Sequence, residues 1–155
     1  MNPRFQLASP ETGTTYSIFV DGPEADAGPG PWPVVLFMDG DDQLEPARTV
    51  YRELRAAGAV RPLFLVGVGY GASYRKSANR RGRDYTPTAH SDEPGSGGGT
   101  AFLNFLTATL WPELARRHPL DPAARGIAGH SLGSLLVLHA LFQPKPFFTH
   151  YLASA

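Results

Sequence analysis

The sequence of 155 residues contains no cysteine. That excludes a disulfide scaffold, a thiolate zinc site and a cysteine nucleophile, and it fits a reducing compartment. Net charge is missing too, because 14 Lys and Arg balance 14 Asp and Glu. Nothing in that balance favours nucleic acid or an acidic membrane as a partner. Long apolar runs are absent as well. The longest, Leu135 to Phe142, is interrupted by His139 and falls far short of the roughly 20 residues of a membrane span. Residues Met1 to Gln6 show no charged start leading into an apolar signal stretch. A soluble, cytoplasmic protein is therefore expected, with neither nucleic acid nor membrane as a partner. No set of His, Asp and Glu has metal-ligand spacing, so neither a metal nor another cofactor is implied.

What is present is ordinary for a globular chain: 42% apolar and 18% charged residues. The length suits one domain with a real core, spanning 1–155. Residues 4–9 and 14–20 read as a strand pair around the turn signal Pro10-Glu11-Thr12-Gly13. The Gly- and Pro-rich residues 21–33 read as a connecting loop. Val34 to Met38 is a continuous apolar run, as expected of a buried parallel strand. A helix is predicted over 46–57, with Pro46 in its first turn, Gly58 at its exit, and Val50, Leu54 and Ala57 on one face. Residues 63–68 form a second buried strand, completing a strand–helix–strand unit. Residues 69–99 read as a long polar loop, of a length that is usually functional or mobile, and its stretch from Ser91 to Gly99 reads as flexible access to a pocket. Its glycines 95–99 lack the Lys-Ser or Lys-Thr and the preceding strand of a phosphate loop. Phe102, Phe105, Leu106, Leu110 and Leu114 then mark a helix over 100–118. A short strand at 125–129, a helix at 132–142 and a strand from 150 close the chain.

The chemistry concentrates in Gly129-His130-Ser131-Leu132-Gly133. Gly-x-Ser-x-Gly between a buried strand and an apolar helix is the setting of a nucleophile elbow. The sharp turn projects the serine hydroxyl at the strand end, and small residues at 129 and 133 let strand and helix approach. The following helix begins with unpaired N–H groups, so the N–H of Leu132 is placed as one oxyanion donor. The second should come from the loop after the first buried strand, Met38 to Asp42, with the N–H of Asp41 as donor and its carboxylate turned away. The competing readings are a Gly-rich turn with an inert serine and a plain Asp-Gly turn. Upstream, Arg75 to Arg83 holds five basic residues in nine. It reads either as a rim for an anionic ester or as a solvated loop.

Taken together, the Met38-Asp39-Gly40 strand end, Arg83-Asp84-Tyr85-Thr86-Pro87, Phe102 to Leu106, Trp111-Pro112-Glu113-Leu114 and the Gly129 to Gly133 elbow resemble one family. It is the α/β-hydrolase family of esterases that includes esterase D and the enterochelin and salmochelin esterases. The resemblance runs from about residue 15 onward and is nearest to the siderophore-esterase branch. It implies the N-terminal part of an α/β-hydrolase three-layer sandwich, an incomplete single domain whose mostly parallel sheet carries an antiparallel N-terminal hairpin. It also implies hydrolysis of a small-molecule ester through an acyl-enzyme on Ser131, with oxyanion donors at Leu132 and Asp41. Arg83 and Tyr85 come forward as substrate-binding residues.

In this fold the catalytic order is Ser, then Asp or Glu, then His on later loops. Ala155 follows Ser131 by only 24 positions, so the acid and the histidine are expected outside this chain. His130 points to the other side of the turn. His118, His139 and His150 read as packing or capping residues, and His90 is only a distant candidate. Asp84, Asp92 and Glu93 read as solvated or paired acids. The chain alone is expected to be nearly inactive, and its open sheet edge is expected to favour self-association. The alternative is a degenerate, non-catalytic binding or scaffold protein.

Overall fold

The computed structural model describes residues 4–155. β1 (Arg4–Ala8) and β2 (Thr15–Asp21) pair as the antiparallel hairpin read from the sequence. β3 (Trp32–Phe37), β4 (Phe64–Gly69), β5 (Leu120–His130) and β6 (His150–Ser154) are mutually parallel. β2 joins them antiparallel to β4, giving the order β1-β2-β4-β3-β5-β6. β4 is buried along its whole length. A strand covered on both faces has no solvated side, so its sequence is apolar throughout rather than alternating.

Helices cover both faces. α1 (Gly40–Ala56) lies on one side, where Leu44 and Tyr51 meet Leu65. A helical rod lies on the other: α3 (Gly99–Asn104), a π-helical stretch (Phe105–Leu110) and α4 (Trp111–Arg117). α5 (Leu132–Leu141) packs beside it on β5 and β6. The predicted stripe of Phe102, Phe105, Leu106, Leu110 and Leu114 is fully buried against Tyr16, Ile18, Leu36 and Val66 of the sheet. Each such side chain contributes on the order of 1.5–3 kcal/mol of transfer free energy. The result is the expected three-layer α/β arrangement. No helix among the described residues is long and apolar enough to cross a membrane.

Three expectations change. α1 starts at Gly40, not Pro46, and Pro46 sits inside it. Gly40 packs on the backbone of Gly67 and Val68, where a Cβ would collide, so the helix can start directly at the strand end. Its apolar contacts also differ. Leu44 and Tyr51 face the sheet, while Val50 and Leu54 are 53% and 40% exposed. Gly58 does end the helix, at φ +67, its N–H bonded to the Arg55 carbonyl. Finally, the 69–99 segment is not a plain loop. It holds a short helix, α2 (Arg81–Asp84), and is tied down by the side chains described next.

Candidate active site

β5 ends in an abrupt reversal. Ser131 has φ 56 and ψ −120, and α5 begins at the next residue. A non-glycine residue at positive φ costs on the order of 1–3 kcal/mol and persists only when its surroundings over-determine it. Here they do. The Ser131 N–H donates to the Ser154 carbonyl of β6 at 2.8 Å, and its own carbonyl accepts the N–H of Ser134 at 2.9 Å. A Cβ on Gly129 would collide with the carbonyl of Gly133, so position 129 must lack one. Gly133 is different: a Cβ there meets Met38 and Asp39 only at ordinary contact distances. Ser131 itself is exposed.

A second strained turn lies beside it, at the end of the neighbouring strand β3. Asp39 has φ 53 and ψ 46, and it caps α1. Its N–H donates to the Tyr85 hydroxyl at 2.8 Å. Its carboxylate, 2% exposed, accepts Nε and Nη2 of Arg81, both at 2.9 Å. Burial pushes the Asp39 carboxyl above its usual range, opposed by the Arg81 guanidinium. Arg81 also reaches the carbonyl of His130 at 3.4 Å. Asp39, Gln43, Tyr74, Arg81, His130 and Ser131 together line one cavity. Arg81 and Asp39 are site residues that the sequence does not single out, Arg83 being the cation it favours. The available signal was an acid closing a buried strand, followed by a basic cluster with several candidate partners.

The other predicted residues lie as follows. Leu132 is the first residue of α5 and Asp41 is in the first turn of α1. The backbone N–H groups of both have no partner among the described residues, as helix-start amides generally lack one within the helix. The Asp41 carboxylate accepts the N–H of Tyr70 at 2.6 Å, and that of Asp42 accepts the N–H of Tyr74 at 3.0 Å. These two acids pin the segment after β4. Asp41 does not line the Ser131 cavity but a separate one with Arg4, Phe19 and Leu44.

Arg83 and Tyr85, expected to touch substrate, are engaged elsewhere. Tyr85 has no exposed surface left for a ligand, and its hydroxyl serves the Asp39 N–H. Arg83 donates to Asp84 at 2.7 Å and to Thr14 at 2.8 Å. Asp84, expected as a loop acid, is fully buried and also accepts the hydroxyls of Tyr16 at 2.8 Å and Tyr70 at 2.9 Å. Burial, and then the Asp84 charge, raise the Tyr16 phenol above its usual range.

Among the described residues, no histidine hydrogen-bonds the Ser131 hydroxyl. His139 meets Thr100 and Gln143, His118 lies against the Phe64 ring, and His150 meets Thr149. His90 faces Asp92 in the segment between α2 and α3. Burial lowers the pKa of His118 and of His139. Arg75, Lys76 and Arg80 remain exposed.

Comparison with known proteins gives concordant matches. The family model described as "Putative esterase" matches residues 9–154. The ferri-bacillibactin esterase BesA of Bacillus subtilis is 31% identical over 96% of this chain and 56% of its own length. A siderophore triacetylfusarinine C esterase of Aspergillus fumigatus is 33% identical over 94% of this chain and 52% of its own length. Among solved structures, the BES protein from Bacillus cereus superposes with a TM-score of 0.84 at 27% identity, covering 99% of this chain and 60% of that one. The siderophore hydrolase EstB from Aspergillus nidulans gives 0.81 at 27% identity, over 98% and 55%. The chain thus spans about half the length of the curated relatives it matches.

Proposed function

The chain belongs to this esterase family, and from that membership we propose that it carries the nucleophile of a serine hydrolase that cleaves carboxylic esters. The observation that carries the reading is Ser131. An exposed hydroxyl sits on a left-handed turn between a buried parallel strand and the first turn of a helix. That strain has a use only if the side chain must stand clear of the sheet end.

In the proposed reaction the Ser131 Oγ attacks the ester carbonyl carbon, and the carbonyl oxygen takes the electron pair. The N–H of Leu132 and the N–H of Asp41 receive that oxyanion. Leu132 opens α5 and Asp41 lies in the first turn of α1, at the ends of adjacent parallel strands, which supports a shared role although Asp41 lines a different cavity from that of Ser131. The general base takes the Ser131 proton and passes it to the leaving oxygen, so collapse expels the alcohol and leaves an acyl-enzyme that water, activated by the same base, hydrolyses to the free acid and Ser131. The general base and its acid partner are assigned to sequence outside these 155 residues. Losing one triad member typically costs on the order of 10⁴-fold or more in turnover, so the chain alone is expected to turn over almost no substrate.

For substrate, the relatives named as siderophore esterases and the exposed Arg75, Lys76 and Arg80 favour an anionic ester such as a catecholate. The cavity at Ser131 is about 190 Å³, smaller than the roughly 300 Å³ at which drug-sized sites begin. It fits the reacting ester group, and Arg75, held over the ring of Tyr74 in the cavity wall, is available to meet the rest of an anionic ligand.

A second reading, a degenerate binding or scaffold protein, is favoured by one observation: the Ser131 hydroxyl meets no histidine among the described residues. A fluorophosphonate probe separates the two. Under the first reading the chain, mixed with a complementing C-terminal half of a relative, is labelled at Ser131, and Ser131→Ala abolishes the label. If the mixture takes up no label, the catalytic reading is lost and the scaffold reading stands.

A further inference from the structure

Two non-glycine residues among those described have positive φ, Asp39 and Ser131. They end the adjacent parallel strands β3 and β5, which pair up to Phe37 and Ala128. One side chain touches both turns. The Arg81 guanidinium is locked on the Asp39 carboxylate through two hydrogen bonds of 2.9 Å, and its Nη2 also reaches the His130 carbonyl at 3.4 Å. His130 immediately precedes the nucleophile. The planar fork of an arginine holds a carboxylate through two parallel donors and still offers a third direction, a geometry that the single nitrogen of a lysine does not reproduce. Tyr85, four residues on, fixes the same turn, its hydroxyl accepting the Asp39 backbone N–H. Arg81 itself is held over the rings of Tyr74 and Tyr85, at 5.6 and 5.7 Å.

We propose that Arg81 is a positioning residue that ties the Asp39 turn to the His130–Ser131 turn and so sets the spacing between the starts of α1 and α5. The two helix starts carry the amides assigned above to the oxyanion, so the catalytic consequence rests on the Ser131 reading. A displacement of about 1 Å at such a site can cost on the order of 10²-fold in rate. Among the described residues the hydrogen bonds of the Arg81 guanidinium go to these two strand ends, so its loss is expected to be felt there first.

The test compares the parent chain with Arg81→Ala and Arg81→Lys by two measurements. The first is hydrogen exchange. Arg81→Ala is expected to accelerate exchange on the order of tenfold in both segments 38–43 and 129–135, with the β1–β2 hairpin unchanged. Unchanged exchange in either segment, or equal acceleration throughout the chain, overturns the tether. The second is the rate of fluorophosphonate labelling at Ser131 with the complementing half present. It should fall on the order of 10²-fold in Arg81→Ala, stay low in Arg81→Lys, and recover in Arg81→Ala when millimolar guanidinium ion is added. Labelling of Arg81→Ala at the parent rate also overturns it. Should the parent itself take no label, the Ser131 reading fails, and the exchange comparison decides the tether by itself.

Discussion

Gly129 and Gly133 face each other across the turn at Ser131, but only one of them is sterically required. A Cβ on Gly129 would run into the Gly133 carbonyl, whereas a Cβ on Gly133 would meet Met38 at 3.4 Å and Asp39 at 3.8 Å. The spacing of the motif suggests two equal glycines, and the packing makes them unequal. Gly129→Ala must push α5 off the sheet and is expected to cost about 3 kcal/mol or more. Gly133→Ala, inside a helix where alanine is favoured, is expected to stay within about 1 kcal/mol of the parent. Urea unfolding of the two variants measures the difference, and equal losses would contradict it.

Asp84 yields a second prediction. Its fully buried carboxylate serves Tyr16, Tyr70 and Arg83 at once. Asp84→Ala removes an acceptor shared by two phenol hydroxyls and a guanidinium, while Tyr16 keeps Thr12 and Arg83 keeps Thr14. Because the Arg83 side chain is one-third exposed, water takes up part of that loss. The expected cost is about 2–3 kcal/mol, against about 1 kcal/mol for Tyr16→Phe, which removes one donor of the set. Thermal unfolding should show Asp84→Ala lower by roughly 5–10 °C. A loss no larger than that of Tyr16→Phe would show that the network is not anchored on the acid.

These two cases show what the sequence makes legible. The elbow can be read because its constraint lies within five consecutive residues. The central strands can be read because burial on both faces makes them continuously apolar. The π-containing rod is visible because its stripe Phe102 to Leu114 keeps a helical period, although nothing in that period reveals the π stretch. The start of α1 is hidden, because it depends on Gly40 resting on Gly67, a contact across the fold. Its buried face is hidden too: Leu44 and Tyr51 fit helical spacing as well as Val50 and Leu54 do, and only the sheet selects between them. The Asp39–Arg81 pair joins positions 42 apart. Nothing in the run from Arg75 to Arg83 says which cation turns inward.

Asp41 gives a dependence on pH. Burial holds its folded-state carboxyl above the ordinary 3.8, outweighing the N–H groups of Tyr70, Ala72 and Gly71 that favour the charged form. A carboxyl raised by folding contributes stability that is fully present below its unfolded pKa and is lost as pH rises through its folded value. Asp41→Asn does not titrate. The stability of the parent minus that of Asp41→Asn should therefore fall as pH rises from the ordinary 3.8 through the higher folded value. Urea titrations across that range read the slope. A difference that rises with pH would mean that the backbone donors, not burial, set this group.

The far edge of the sheet supplies the last expectation. β6 ends the strand order, and its outer side pairs with no strand among the described residues. Around it Leu152 is 53% exposed, and Leu138 on α5 and Phe142 just past its end are 42% and 80% exposed. An unpaired edge with apolar side chains is a template for another strand, and a net charge of zero offers no long-range repulsion to keep copies apart. A second copy pairing along β6 is therefore the expected occupant when the chain is studied alone. Sedimentation velocity should show association growing with concentration, and Leu152→Lys should reduce it, since a lysine on an edge strand would have to be buried by the incoming strand. The Leu138→Glu change tests whether the α5 face takes part, because a charge there disfavours helix packing but leaves the strand edge intact. A monomer at every concentration, or association indifferent to Leu152→Lys, would mean that the edge is not the contact.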